Sequence, residues 1–201
     1  MNFIEKGFQQ GIGLLFSCDR EVFSVVGLSL FVCVAATIIA VFIGVPLGAV
    51  IAVKKFPLKK FLITLINTGM GLPPVVVGLV ISLLLFRNGP LGILGWLYTV
   101  QGMILAQVII ALPIVMGLTV ASLQGMDGVY RQIVSLGANQ AQAMYLLVKE
   151  ARLPILAAVI AAFGSVFSEV GAVMMVGGNI KGQTRVLTTD IVLQTQTGNF
   201  A

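Results

Sequence analysis

Residues 124–154 read QGMDGVYRQIVSLGANQAQAMYLLVKEARLP, the one long polar interval in an otherwise apolar chain. Apolar runs long enough to cross a bilayer lie on both sides of it. A connection between neighbouring helices usually needs two to eight residues. This one holds about thirty and carries a helical pattern, so it is expected to be an element with a partner of its own. Ser135-Leu136-Gly137-Ala138 interrupts the pattern. Asn139 offers an N-cap for a second helix, with Gln142 as its reciprocal partner three residues on. Gly137 supplies a backbone turn without a Cβ penalty. Two short helices at a glycine elbow predict a compact knob. On physics alone the knob is either gripped by another subunit or lies at the interface unpartnered.

The rest of the chain sets the solvent. Of 201 residues, 58% are hydrophobic and 9% charged, whereas a soluble domain carries about 25% charged residues. Lipid is therefore expected to cover most of the surface, and the predicted fold is an all-α polytopic transmembrane bundle. The net charge of +5 comes without a Lys/Arg-rich run interleaved with aromatics, which argues against nucleic-acid binding. In a membrane chain such an excess reports orientation. Cys18 and Cys33 have no metal-ligand or redox spacing. The chain has no histidine, so the commonest metal ligand and general base is missing, which argues against an enzyme.

Four spans are predicted. Residues 1–21 fit a signal peptide poorly. They read as an amphipathic interfacial segment or an unanchored terminus, and residues 22–201 form the transmembrane domain. Residues 22–53 exceed the roughly 20 needed to cross, so the first span tilts or projects. Gly44, Pro46 and Gly48 predict a kink and close packing there. Lys54, Lys55, Lys59 and Lys60 place the next loop in the cytoplasm and the N-terminus outside. Residues 61–86 make the second span, with Thr68-Gly69-Met70-Gly71-Leu72-Pro73-Pro74 in its first half. The Pro-Pro pair breaks the ladder and frees carbonyls that lipid cannot satisfy. Either this broken helix lines a pathway or a loop joins two shorter helices. Arg87-Asn88-Gly89-Pro90-Leu91-Gly92 is a turn, and Trp96 and Tyr98 are interfacial anchors. Residues 102–123, containing Pro113, and 153–176 are the third and fourth spans. Residues 177–201 are polar and fall outside.

The run 129–154 resembles the EAA loop of type I ABC importer permeases, marked by a Leu-Gly-Ala core and a downstream Leu-Pro. Leu136-Gly137-Ala138 and Leu153-Pro154 match. The family's acidic and Ala-Ala positions fall on Tyr130, Arg131, Gln132 and Ile133 and do not match. The Gly-to-Pro distance is longer by about four residues, roughly one helical turn. Leu72-Pro73-Pro74-Val75-Val76-Val77-Gly78-Leu79 and Glu169-Val170-Gly171-Ala172 resemble the molybdate, sulfate and tungstate permeases, nearest the tungstate subunits. So do Gly178-Asn179-Ile180 and Gly182-Gln183-Thr184. That family normally has a further span beyond Gly198-Asn199-Phe200-Ala201, so its last helix is expected to be missing here.

The resemblance implies a permease in a bacterial or archaeal cytoplasmic membrane, working as a homodimer. It implies an ABC ATPase subunit docked at Ser135, Leu136, Gly137, Ala138 and Asn139, and an extracytoplasmic binding protein. ATP and Mg are expected on the ATPase, with no cofactor in this chain. Molybdate, sulfate or another anion, and a non-transport membrane scaffold, stand as alternatives.

Glu169 lies within the fourth span, where a charge costs about 2.5–3.5 kcal/mol on insertion scales. Structural support, gating and proton coupling are its three readings. Neutral donors suit an oxyanion better than a carboxylate does. Thr68, Ser82, Ser165, Ser168 and exposed amides near Gly69 and Gly71 are pathway candidates, with Pro73 and Glu169 beside them, against a plain packing role for each hydroxyl. Lys181 and Arg185 either attract an anion outside or are simply solvated. In the stretch 177–184 the lysine precedes the glycine, the reverse of a phosphate-binding loop.

Overall fold

The structure is a computed structural model and describes residues 20–198. Among these the chain forms helices and turns only. Helix α1 spans Arg20–Val53, α2 Lys59–Met70, α3 Pro74–Leu85, α4 Val100–Gln124 and α5 Asp127–Ser135. Helix α6 spans Gln140–Glu150, α7 Arg152–Phe167, α8 Gly171–Gly177 and α9 Leu187–Thr197. The interfacial reading of residues 1–21, and Cys18, lie outside the described residues, apart from Arg20 and Glu21, which open α1.

Helices α1 and α4 are each long and apolar enough to cross a membrane alone. At 34 residues and about 1.5 Å per residue, α1 is about 51 Å long against a hydrocarbon core of about 30 Å. Their packing fixes the topology. Val32 meets Met103, Ala36 and Ala40 lie in one cluster with Val108, Ala111 and Val115, and Ala49 and Ala52 meet Leu123. Residue numbers rise together along this seam, so the two helices run parallel. The segment between them must therefore return across the membrane.

That return is made by α2 and α3, which bend by 98° at residues 71–73. Ile66 packs on Val120 of α4, Gly69 faces Pro113, and Ile81 and Leu85 reach Ala106. The pair climbs α4 from its cytoplasmic to its outer end, which makes it one broken span. Two helices of 12 residues each do form, but together they cross. Helix α7 runs antiparallel to α4, from Ile155 beside Leu123 to Val166 beside Val108. It then bends by 59° into α8, whose Val173 and Val176 reach Met103 and Ala106. With each bent pair taken as one span, the described residues hold four candidate crossings, the number the sequence predicts.

Small residues make the parallel seam possible. A Cβ at Gly48 would stand 2.9 Å from the Met116 carbonyl oxygen and from Thr119 Cβ, and one at Gly44 2.9 Å from Val115 Cγ1. The backbones approach because no side chain intervenes. At the end of α1, Lys59 donates from Nζ to the Ala52 carbonyl at 2.5 Å, placing a cation at the negative end of the helix.

This seam can be tested with two alanines. Gly48→Ala should lower stability in detergent by about 1–3 kcal/mol through overpacking against backbone. Gly27→Ala has open space around its Cβ and should leave stability unchanged or raise it by up to about 1 kcal/mol. Chemical unfolding of the two purified variants beside the native chain reads the difference.

Candidate functional site

The cytoplasmic knob is built by α5 and α6. Asn139 Oδ1 accepts from the Gln142 amide at 2.8 Å, and Gln142 Oε1 accepts from the Asn139 amide at 3.0 Å, a complete capping box. Gly137 sits at φ +91°, a conformation open to glycine and costly for other residues. Ser135 donates from Oγ to the Gln132 carbonyl at 2.8 Å and closes α5. Leu136 at the tip is 88% exposed, an apolar side chain with nothing around it. Behind the tip, Leu147 and Ala151 pack with Ala49, Ala52, Leu123 and Ile155 at the cytoplasmic ends of α1, α4 and α7. The elbow is therefore joined by direct packing to three helices of the bundle. Tyr130 is turned inward against the same cluster, while Arg131 stays exposed.

The two helix breaks meet each other. A Cβ at Gly78 of α3 would lie 2.5 Å from Ala172 Cα of α8, and Gly171 abuts Val75. The α7–α8 break is held by side chains from three other elements. Val166 O accepts from the Glu169 amide at 3.3 Å, from Gln107 Nε2 at 3.4 Å and from Cys33 Sγ at 3.9 Å. Glu169 Oε1 accepts from the Ala172 amide at 2.9 Å, satisfying a donor at the start of α8. The Glu169 carbonyl accepts from Thr188 Oγ1 at 3.0 Å, and Ser29 Oγ accepts from the Leu187 amide at 2.7 Å. Helix α9 is thereby pinned to both α1 and the break. The void among Ser29, Gln107, Glu169 and Thr188 is about 10 Å3, no more than one water's room.

At the first break Thr68 is exposed and donates back to the Thr64 carbonyl at 2.9 Å. Gly71 and Pro73 are exposed, and Gly69 is half-buried against Pro113. Ser168 is exposed and donates to the Ser165 carbonyl at 3.1 Å. The Ser82 hydroxyl is buried in α3 without a hydrogen-bond partner. On the outer side Lys181 pairs with Glu21 at 2.6 Å and Arg185 with Asp190 at 3.6 Å. The stretch 177–184 closes on itself, Thr184 Oγ1 donating to the Gly177 carbonyl at 2.5 Å and accepting from the Ile180 amide at 3.0 Å.

The chain matches the family model of binding-protein-dependent transport system inner membrane components over residues 44–200, which takes in the elbow, both breaks and α9. The chain belongs to this family. It is 38% identical to the tungstate uptake system permease protein TupB of Peptoclostridium acidaminophilum, over 100% of this chain and 88% of that protein. It is 36% identical to TupB of Campylobacter jejuni, over 100% of this chain and 84% of that protein. It is 38% identical to the "Probable anion ABC transporter permease protein" of Haloferax volcanii, over 88% of this chain and 79% of that protein.

As a binding-protein-dependent transport component, the chain is a multi-pass membrane permease and not an enzyme. The structure gathers Gly69, Gly71 and Pro73 at one break and Ser168 and Glu169 at the other, and it joins the two through α3 and α8. It leaves the Ser82 hydroxyl on α3 buried, with the residue itself half-buried. Sequence reasoning missed Gln107, Cys33, Ser29 and Thr188, the side chains that hold the second break. Gln107 was the available signal, a large amide in the middle of an apolar span.

The capping role of Glu169 gives a clean substitution test. Glu169→Gln keeps an acceptor for the Ala172 amide and should keep both stability and transport near native. Glu169→Ala strands a buried donor and should lose about 1–3 kcal/mol. Transport abolished by Gln would replace the capping role with proton coupling. Ser82→Ala removes an orphan hydroxyl and should leave stability equal or up to about 1 kcal/mol higher, read by the same unfolding assay.

Proposed function

We propose that the chain is the membrane subunit of an ABC importer that carries an oxyanion, tungstate in the first instance, into the cytoplasm. The observation that carries this reading is the likeness to tungstate uptake permeases along the whole chain, 38% identical over 201 residues. Molybdate and sulfate are the other anions to test, since a sulfate permease of Synechococcus elongatus is 30% identical over 90% of this chain.

In this reading residues Ser135, Leu136, Gly137, Ala138 and Asn139 form the docking tip for an ATPase subunit, which binds ATP and Mg. Closure of the ATPase pair draws two tips together, and Leu147 and Ala151 pass that movement to α1, α4 and α7. A binding protein delivers the anion to the outer side, around Lys181 and Arg185. Two copies of the chain are needed. Thr68, Gly71, Pro73 and Ser168 present polar backbone and hydroxyls on the surface of one copy at the level of the breaks, where lipid is a poor neighbour. A second copy covers that surface and leaves a polar path between. The void beside Glu169 has no room for a tetrahedral anion, which supports a path between copies instead of one inside each. Thr68, Gly69, Gly71, Pro73, Ser168 and Glu169 then border the path, and Ser82 is the candidate whose burial fits it least.

Coupling is tested at Gly137. Gly137→Val puts a β-branched residue at φ +91°, a local cost of about 1–2 kcal/mol, and blunts the tip. Co-expressed with the ATPase and assayed with binding protein, it should lose most tungstate-stimulated ATP hydrolysis. Gly128→Ala, with open space around its Cβ, should keep it. Equal stimulation in both variants rejects the elbow as the docking tip. Stimulation of the native complex by molybdate or sulfate in place of tungstate reassigns the anion.

A further inference from the structure

The back of the knob holds a cleft of about 600 Å3. Its apolar wall is Val129 and Ile133 of α5, Leu146 of α6 and Leu153 of α7, and its charged wall is Lys149, Arg152 and Glu150. Among the described residues the ion pairs are Lys181–Glu21 and Arg185–Asp190, so Lys149 and Arg152 have no carboxylate partner among them. The cleft is amphiphilic, with Lys149 and Arg152 beside one carboxylate, Glu150, over an apolar floor.

Its place in the fold says what covers it. Leu153, Leu156 and Ile160 are 72%, 54% and 63% exposed and recur at helical spacing, so they form one stripe up α7. Helix α7 begins at the cytoplasmic end of the bundle, and the cleft opens where this stripe begins. Apolar side chains continuous with the stripe thus meet two cations at the cytoplasmic end of the bundle. A free phosphate would use the cations and leave the apolar wall bare.

We propose that this cleft binds an anionic phospholipid of the inner leaflet, its phosphate between Lys149 and Arg152 and its upper acyl chain along Leu146 and Leu153. Basic residues beside a cytoplasmic membrane surface attract such lipids. The occupant sits between α5 and α6, directly behind the elbow, and so braces the docking tip against the bilayer. The proposal is independent of which anion is carried.

The test is native mass spectrometry of the full chain, co-purified with its ATPase and exposed to phosphatidylglycerol, cardiolipin or phosphatidylcholine of matched acyl chains. The native chain should retain the two anionic lipids and release phosphatidylcholine. Lys149→Gln and Arg152→Gln should each lower anionic-lipid retention about fivefold, and together about thirty-fold. Lys54→Gln/Lys55→Gln, on the same side but outside the cleft, should retain them. Equal retention of phosphatidylcholine by the native chain overturns the proposal. So does unchanged retention in the cleft variants, or equal loss in the Lys54/Lys55 variant. If the cleft variants shed the ATPase and keep the lipid, the cleft belongs to the ATPase.

Discussion

A backbone inside hydrocarbon cannot leave its N–H and C=O groups bare, and this fold breaks two of its four candidate crossings. The second break has polar groups met from elsewhere in the bundle, whereas the first meets part of its own locally. At the first, Pro73 and Pro74 have no N–H to satisfy, and the Thr68 and Gly69 carbonyls accept from Gly71 and Leu72. At the second, Gln107, Cys33, Glu169 and Thr188 supply donors and an acceptor from α4, α1, the break itself and α9. The long-range partners of the second break are what tie the outer segment to the bundle. Val186, at the start of α9, adds apolar packing with Val32, Met103 and Val173.

The two ends of the molecule are built on different physics. The cytoplasmic end is built from local contacts, a capping box, a glycine elbow and a shared apolar cluster. The outer end depends on hydrogen bonds between residues far apart in sequence, such as Ser29 with Leu187. Asn179 at φ +51° and its bond from Thr189 at 3.1 Å keep the turn before α9 compact. The outer end holds its shape through donors and acceptors that are few and specific.

The cytoplasmic end was legible in the sequence because its determinants are adjacent. Asn139, Gln142 and Gly137 announce the elbow, and the lysines of the first loop give orientation. The Pro-Pro pair announced the first break but could not say whether the chain crossed there. That answer came from the parallel packing of α1 on α4, a relation between residues about 70 apart. The second break has no proline, so residues 153–176 read as one straight span, while Ser168 and Glu169 mark a 59° bend. The tail 177–201 read as polar and outside, yet residues 187–197 form a helix held by Ser29 and the Glu169 carbonyl. Composition sees polarity and is blind to a distant hydroxyl waiting for an amide.

The parallel seam also bears on how the molecule is made. Val32 and its partner Met103 are separated by 71 positions. At about 5–20 residues per second of synthesis, α1 spends on the order of ten seconds in the bilayer before α4 exists. Through that interval its glycine-lined face has only lipid, the unfinished α2–α3 pair or an insertion chaperone for company. Birth order, and not only final contacts, therefore weighs on a residue such as Gly48, because its notch must stay empty until the right helix arrives.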